Sequence, residues 1–497
     1  MRVAVIPAAG KGVRFNEIGT HYAKTLLPLN GIPIIQQIIE RLLPDFDEIR
    51  IVVSPDSTQL EKFLNSLCVS KIQIVIIPSD GPQGPGRSFI EAVVGNEDYV
   101  FLHLSDVLFN LNFTSLSGDW VTSMSVNDPS RWCMINESSE LLDKPSTCAD
   151  GYQAITGAYS FSNPADLKKA CEAAFHEATS GEFQLSQIFK HYNVRHKFEL
   201  HSHKSEDFLD LGTIEEYFKN NKSNKNRYFN DIKFDRDVVR KSSNIHGNKL
   251  LKEALWLKYA PRELQKFLPK IYDIDYKGPA YHMERIYSLK LRDLFIYLDR
   301  RVATWEPIFS EINLFLELCK KTEIKSDFWR DVCNKTLLRR PDLKIFTAEL
   351  WDIVMQSGHQ NRSTLYHGDL HFNNMFYDLD RHKLTLIDPG GEFYGHWLYD
   401  VAKLMHSVFG KFDFIDANLF NPNGHFVKVY SAGTEGIEQI YAKSILDKLS
   451  NAELKLVYKI TASLFASMQP LHIDSPEKIR EFEDIFCRFD ALAKALD

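Results

Sequence analysis

The sequence predicts two units in one chain: an α/β unit whose sheet is layered with helices, then an α+β unit in which a small sheet is followed by many helices. Three observations lead there. The first third alternates short β-rich runs (VAVIPAA, EIRIVVS, KIQIVIIPS, DYVFLHLSD) with segments of helical spacing such as PIIQQIIERLL. After Tyr217 the chain turns polar in FKNNKSNKNRYFN, which has almost nothing to bury and reads as an exposed boundary. Beyond it, strand-like YFNDIKF, DVVRKSS and AYHMERI give way to helical periods in EPIFSEINLFLELCKK, WLYDVAKLMHSVF and AELKLVYKITASLFASM. The expected limits are 1–218 for the first unit, 219–227 for a linker and 228–497 for the second. A chain of 497 residues also exceeds what one hydrophobic core holds.

Composition narrows the function classes. With 44% hydrophobic and 25% charged residues and a net charge of -7, the chain is globular and has no basic bias toward nucleic acid. Its seven cysteines are scattered and never in CxxC spacing, so neither a disulfide framework nor a zinc ribbon is expected. MRVAVIPAAGKG leads into glycines rather than a cleavage site, and no stretch reaches about 18 uninterrupted apolar residues. The expectation is a cytoplasmic protein with no nucleic-acid or membrane partner, as a monomer or an oligomer.

In the first unit, VAVIPAAGKGVRF reads as a buried strand breaking into a glycine turn. Backbone N–H groups at Ala8, Ala9, Gly10 and Gly12 can approach a phosphate chain there, and Arg14 and Lys24 can neutralise it. The spacing fails the dinucleotide fingerprint, since Phe15 stands at its third position, and no GK[ST] follows. The run AAGKGVRF with K.LLPLNGIPI resembles the signature loop of sugar-1-phosphate nucleotidyltransferases, and further matches follow in that family's order over about residues 1–218. QGPGRSFIEAV is similar to the base-binding turn with Gln83 and Gly84, and HLSDVLF carries Asp106 at the first metal carboxylate. LLDKP resembles the family's Glu-Lys-Pro, with Lys144 toward the sugar phosphate; AITGAYSF contributes Gly157, and GEFQLSQIF contributes Glu182 toward the sugar. DFLDLGTIEEYF supplies the second carboxylate, Asp210. Ser105 and Asp143 depart from the glycine and glutamate usual there. The resemblance implies a Rossmann-like mixed sheet flanked by helices, catalytic Arg14 and Lys24, and Mg²⁺ on Asp106 and Asp210.

In the second unit, LYHGDLHFNN sets Asp369 between His367 and His371. A three-ligand metal site would need all three to converge, and no HExxH or further His/Cys ligand lies near. A catalytic loop asks instead for an aspartate that accepts the attacking hydroxyl's proton, an asparagine five residues on, and a later strand-bounded aspartate on the metal. Asp369, Asn374 and Asp388 in LTLIDPGG meet that spacing. YHGDLHFNNMFYD with LTLIDPGG resembles the aminoglycoside phosphotransferase and choline kinase superfamily over about residues 228–497. That resemblance implies a protein-kinase-like α+β fold binding ATP and Mg²⁺. Within it, Lys241 would be the phosphate lysine, Glu253 its helix partner and Glu284 part of the adenine hinge. His367 and Asp400 would brace the loop, and His371 would orient it.

Two phosphate chemistries in one chain suggest consecutive steps: ATP plus sugar to sugar 1-phosphate, then a second NTP to NDP-sugar and pyrophosphate. Choline or another amino alcohol leading to a CDP-alcohol is the alternative within enzymes, with CTP, UTP, dTTP and GTP all open. From another class, one domain could be a degenerate nucleotide-sensing module.

Overall fold

The computed structural model describes residues 1–10, 22–110, 117–178, 182–221, 231–419 and 433–496. It divides into two compact units, Met1–Ser223 and Asn224–Asp497.

The first unit is built on a nine-stranded mixed sheet. Its strand order runs Leu141–Asp143, Cys133–Ile135, Gln153–Phe161, Tyr99–His103, Arg2–Pro7, Glu48–Val53 and Ile72–Ile76, with Trp120–Met124 branching from Gln153–Phe161 and Glu199–Ser202 pairing in turn with Trp120–Met124. Arg2–Pro7 pairs in parallel with both Glu48–Val53 and Tyr99–His103, whereas Gln153–Phe161 runs antiparallel to Tyr99–His103. Val3, Ala4, Val5 and Ile6 are all fully buried, the continuous burial of a strand covered on both faces. The helix Pro85–Ala92 packs on that strand and on Glu48–Val53, and the helix Ile34–Leu42 buries Ile34, Ile35, Ile38, Ile39 and Leu42 at helical spacing. A short antiparallel pair, Val107–Phe109 with Phe208–Asp210, stands apart from the main sheet. The helix Ile214–Asn220 closes the unit, capped by the Thr213 hydroxyl accepting from the Glu216 amide. Residues 219 and 220, expected in the linker, are the last two of that helix, where the Asn220 side chain donates to the Glu216 carbonyl at 3.0 Å.

The second unit begins with a four-stranded antiparallel sheet in the order Asp231–Asp235, Val238–Ser242, Ala280–Glu284, Ile271–Asp275. The helix Gly247–Tyr259 packs on its last two strands. The rest is mostly helical, and within it the hairpin Met375–Asp378 with Lys383–Leu386 carries the loop that holds Asp369 at one end and Asp388 at the other. Lys459, fully buried in the helix Asn451–Met468, pairs with Glu349 and lies 2.5 Å from Asp490, which ties three helices together. Among the described residues, no helix is long and apolar enough to cross a membrane.

Candidate active sites

In the first unit the site gathers where the central strands end. After Arg2–Pro7 the Ala8 amide donates to the Val52 carbonyl at 2.8 Å; Ala9 is half-buried, and a Cβ on Gly10 would meet open space. Gly12 and Arg14 lie outside the described residues. Lys24 opens a short helical turn, and its Nζ lies 2.7 Å from Asp106 Oδ2. Asp106 follows the strand Tyr99–His103, and its carbonyl accepts from the Leu211 amide at 2.8 Å, which draws in the segment bearing Asp210. A Cβ on Gly212 would stand 2.9 Å from Asp210 Oδ1 and 3.6 Å from Asp106 Oδ2, so both carboxylates flank one glycine. Burial pushes the Asp210 carboxyl above its ordinary range, and the Asp106 charge adds to this; the Gly212 amide and Arg131 pull the other way. Two converging carboxylates are the hard oxygen donors that Mg²⁺ takes together with phosphates.

The other candidates lie on adjoining segments. Gly84 caps the helix Pro85–Ala92 with φ 126°, and a Cβ there would sit 2.7 Å from the Phe183 carbonyl, so the turn admits only glycine. Gln83 bridges in parallel to Glu182, and its amide nitrogen donates to the carbonyls of Pro78, Asp80 and Gly81. Glu182 also accepts from the Gln184 side chain at 2.8 Å. Gly157 occupies an irregularity in its strand with φ 115°, and its carbonyl accepts from the Leu104 amide two residues before Asp106. Lys144 is exposed with φ 48°, and its amide donates to the Trp132 carbonyl at 2.9 Å, beside Arg131.

In the second unit, Lys241 on the strand Val238–Ser242 is buried, with its Nζ 2.6 Å from Glu253 and 3.0 Å from Asp388. Burial would lower its pKa, but Asp388 and Glu253 together raise it above the ordinary lysine value. The Tyr281 hydroxyl donates to the same Glu253 carboxylate. Asp388 has φ 56°, a left-handed conformation that aspartate tolerates better than most residues. The Ile387 amide donates to the Asn374 carbonyl at 3.0 Å, which sets Asp388 beside Asn374. Asn374 Nδ2 donates to Asp369 Oδ2 at 3.0 Å, and Lys403 Nζ lies 2.9 Å from Asp369 Oδ1. Burial works to raise the Asp369 carboxyl, but Lys403 and His371 hold it well below the usual carboxylate range, so it is ionised at neutral pH.

Asp400 is fully buried and accepts from the His367 amide at 2.6 Å and the Gly368 amide at 2.8 Å, anchoring the loop from behind. Burial pushes its carboxyl up to about 7 against those two donors. His367 is buried too, and burial lowers its imidazole to about 4, so it is neutral and its Nδ1 accepts from the Asp369 amide. Among the described residues, no three His, Cys, Asp or Glu converge as metal ligands. A site of one aspartate, one asparagine amide oxygen and phosphate oxygens needs no such cluster, and Asp388 and Asn374 fit it. Glu284 ends its strand, and its carboxylate accepts from the Lys270 amide at 2.9 Å.

Residues 4–113 match the family model of the MobA-like NTP transferase domain, and residues 317–433 match that of the phosphotransferase enzyme family. One segment of each unit thus matches a transferase family, an NTP transferase model in the first and a phosphotransferase model in the second. Curated relatives match within the nucleotidyltransferase unit. The UTP--glucose-1-phosphate uridylyltransferase of Mycoplasma genitalium is 30% identical over 134 residues, 22% of this chain and 46% of that protein. UTP--glucose-1-phosphate uridylyltransferase 2 of Streptococcus pyogenes serotype M3 is 25% identical over 215 residues, 38% of this chain and 72% of that protein. The chain thus spans about half the length of the first relative. A solved UDP-glucose pyrophosphorylase from Acinetobacter baumanii aligns at TM-score 0.37 and 17% identity, covering 44% of this chain and 91% of that one.

Several residues of the nucleotidyltransferase and phosphotransferase units escaped the sequence. Arg131, 3.1 Å from Asp210, sits in a stretch with no motif. Lys403 lies in the helix Trp397–Val408, one turn past Asp400, where the apolar stripe drew attention instead. Tyr281 read as part of the strand-like hinge segment, with no sign of its bond to Glu253.

Proposed function

We propose that the chain is a bifunctional enzyme that phosphorylates a sugar with ATP at the anomeric hydroxyl and then joins a nucleotidyl group from a second NTP to the resulting sugar 1-phosphate. The units would be 1–218 and 228–497, joined by a short connection, and the setting is cytoplasmic. The observation that carries the reading is the Asp369 loop, with Lys403 and Asn374 on its carboxylate, standing in the same chain as the Asp106 and Asp210 pair.

In the kinase step Asp369 takes the proton of the acceptor hydroxyl, whose oxygen bonds to the γ-phosphorus while the bond to the bridging oxygen of ADP breaks. Lys241, fixed by Glu253, steadies the α- and β-phosphates. Mg²⁺ held by Asp388 and Asn374 would offset the phosphate charge. In the second step an oxygen of the sugar phosphate attacks the α-phosphorus and pyrophosphate leaves, so the site must hold two anions together. Lys24 and Arg14 would balance that charge, Ala8 to Gly12 with Gln83 and Gly84 would cradle the nucleotide, and Lys144, Gly157 and Glu182 would hold the sugar. Asp106 and Asp210 supply the oxygens for a cation there. The curated relatives named as acting on glucose 1-phosphate favour a sugar over an amino alcohol.

The test is mass spectrometry of products after incubation with ATP, Mg²⁺, the four NTPs and a panel of sugars. ADP, pyrophosphate and an NDP-sugar are expected together. If no NDP-sugar forms from any free sugar or any supplied sugar 1-phosphate, the reading is wrong.

A further inference from the structure

On the reading of the first unit as a sugar-1-phosphate nucleotidyltransferase, we propose that Arg131 receives the phosphate of the incoming sugar 1-phosphate, and that it is freed for this when Asp210 turns from it to a divalent cation. Arg131 Nη2 lies 3.1 Å from Asp210 Oδ2. On the neighbouring carboxylate, Lys24 Nζ lies 2.7 Å from Asp106 Oδ2, so each member of the pair has a cation against it. The hairpin of Cys133–Ile135 with Leu141–Asp143 brings Arg131 to this place. Ile135 pairs with Gln153 and Met134 with Ala154, whereas Ala158, further along the same strand, pairs with His103. The hairpin therefore lies past the carboxyl end of Tyr99–His103, the end that carries Asp106, with Cys133 nearer to it than Ile135. Cys133 pairs with Asp143, so Arg131, Trp132 and Lys144 share the open end of the hairpin, where the Lys144 amide donates to the Trp132 carbonyl at 2.9 Å. The Trp132 ring, 6.2 Å from that of Phe208, sets this end against the strand that bears Asp210.

A carboxylate that holds a guanidinium is a poor ligand for a second cation, because two positive charges then compete for the same oxygens. Asp210 serves a divalent cation only when Arg131 lets go. The Arg131 side chain is 47% exposed, and a solvent-facing pair of this kind is weakly held. Once off Asp210, its planar fork matches two oxygens of a phosphate. Two sources could supply that phosphate: the NTP or the acceptor. The glycine turn follows Arg2–Pro7, and Lys24 stands by Asp106. Arg131 precedes Cys133–Ile135, three places from Arg2–Pro7 in the strand order, or about 14 Å at roughly 4.8 Å per strand. A triphosphate seated at the turn thus has Lys24 at hand, while Arg131 stands across the carboxylate pair from it. An oxygen that attacks the α-phosphorus in line must enter opposite the leaving pyrophosphate, which is the side Arg131 commands.

The test follows phenylglyoxal modification of Arg131, read by peptide mass spectrometry on the full-length protein, and so needs no turnover. Labelling is compared with chelator, with Mg²⁺, and with Mg²⁺ plus the α,β-methylene analogues of the four NTPs. Each is repeated with methyl phosphate, glucose 1-phosphate or sodium chloride at equal ionic strength. Mg²⁺, alone or with an analogue, should speed labelling about threefold or more, as loss of a weak ion pair implies. Methyl phosphate or glucose 1-phosphate at about four times its Kd should then slow it about fivefold, and sodium chloride should not. Labelling that ignores Mg²⁺, absence of protection by either phosphate ester, or protection by the analogues alone overturns the proposal. In Asp210→Asn, Arg131 should label fast without Mg²⁺; slow, Mg²⁺-sensitive labelling there also overturns it. In turnover, Arg131→Gln should raise KM for the sugar 1-phosphate about tenfold with KM for the NTP little changed, and Arg131→Lys should recover part of the loss. If Arg131→Gln forms pyrophosphate with both KM values unchanged, the transferase reading stands and this proposal falls. If a phosphate ester protects Arg131 but no acceptor yields pyrophosphate, the anion site stands and the transferase reading falls.

Discussion

Asp369 sits between an ammonium and an amide, and these neighbours set its chemistry. Replacing it with asparagine removes the proton acceptor but keeps the shape, so Asp369→Asn should cost about 10² to 10⁴ in phosphorylation rate while nucleotidyl transfer from supplied sugar 1-phosphate is unchanged. Kinase turnover within a few-fold of wild type would exclude the role. Lys403→Met tests the electrostatics. Without the ammonium the carboxyl is no longer held down, so Asp369 takes up its proton at a higher pH and activity disappears as pH falls through that value. The acid limb of kcat/KM for the kinase should therefore move upward by about one pH unit or more in the variant. Superimposable profiles would rule this out. The contrast between these residues shows what a sequence reveals at this scale. Asp369 and Asn374 are readable because one short loop fixes their spacing and their hydrogen bond joins neighbours in sequence. Lys403 reaches the same place from a separate helix, and Arg131 meets Asp210 across 79 residues. Nothing local encodes such meetings.

The helix Trp397–Val408 acts as a splint for the catalytic loop, because Asp400 receives two backbone N–H groups of the loop in a fully buried position. Asp400→Ala strands both donors, each at about 1–3 kcal/mol. A clearly lower urea midpoint and loss of phosphorylation should appear together, with Asp400→Asn recovering part of the stability through its amide oxygen. An alanine variant as stable as wild type would show that the helix does not brace the loop. At this scale the elements themselves were legible: the 3.6-residue stripes of Ile34–Leu42 and Asn451–Met468 and the β-rich runs of the first unit correspond to real helices and strands. Which strands pair was not. The apolar run marks Gln153–Phe161 as a buried strand but cannot say that it runs antiparallel beside Tyr99–His103, nor that its pairing with Trp120–Met124 shifts register around Gly157.

At the scale of the whole molecule, the two compact units, Met1–Ser223 and Asn224–Asp497, should work apart. Expressed separately, residues 1–223 and 225–497 are expected each to fold and to retain turnover on their own substrates. Mixed at equal concentration they should convert free sugar to NDP-sugar after a longer lag, since the intermediate must accumulate in bulk solution. A transferase half that never accepts the kinase half's product would break the serial scheme. The pairing of Phe208–Asp210 with Val107–Phe109 has a further consequence, for biosynthesis. Asp106 gains its neighbour Asp210 only through strands about 100 residues apart, so the first site is assembled late in the emergence of its own unit but before most of the second unit has been translated. A ribosome-bound chain stalled soon after the helix Ile214–Asn220 clears the exit tunnel should already resist protease over its first 220 or so residues, whereas one stalled before Phe208 should be cut there readily.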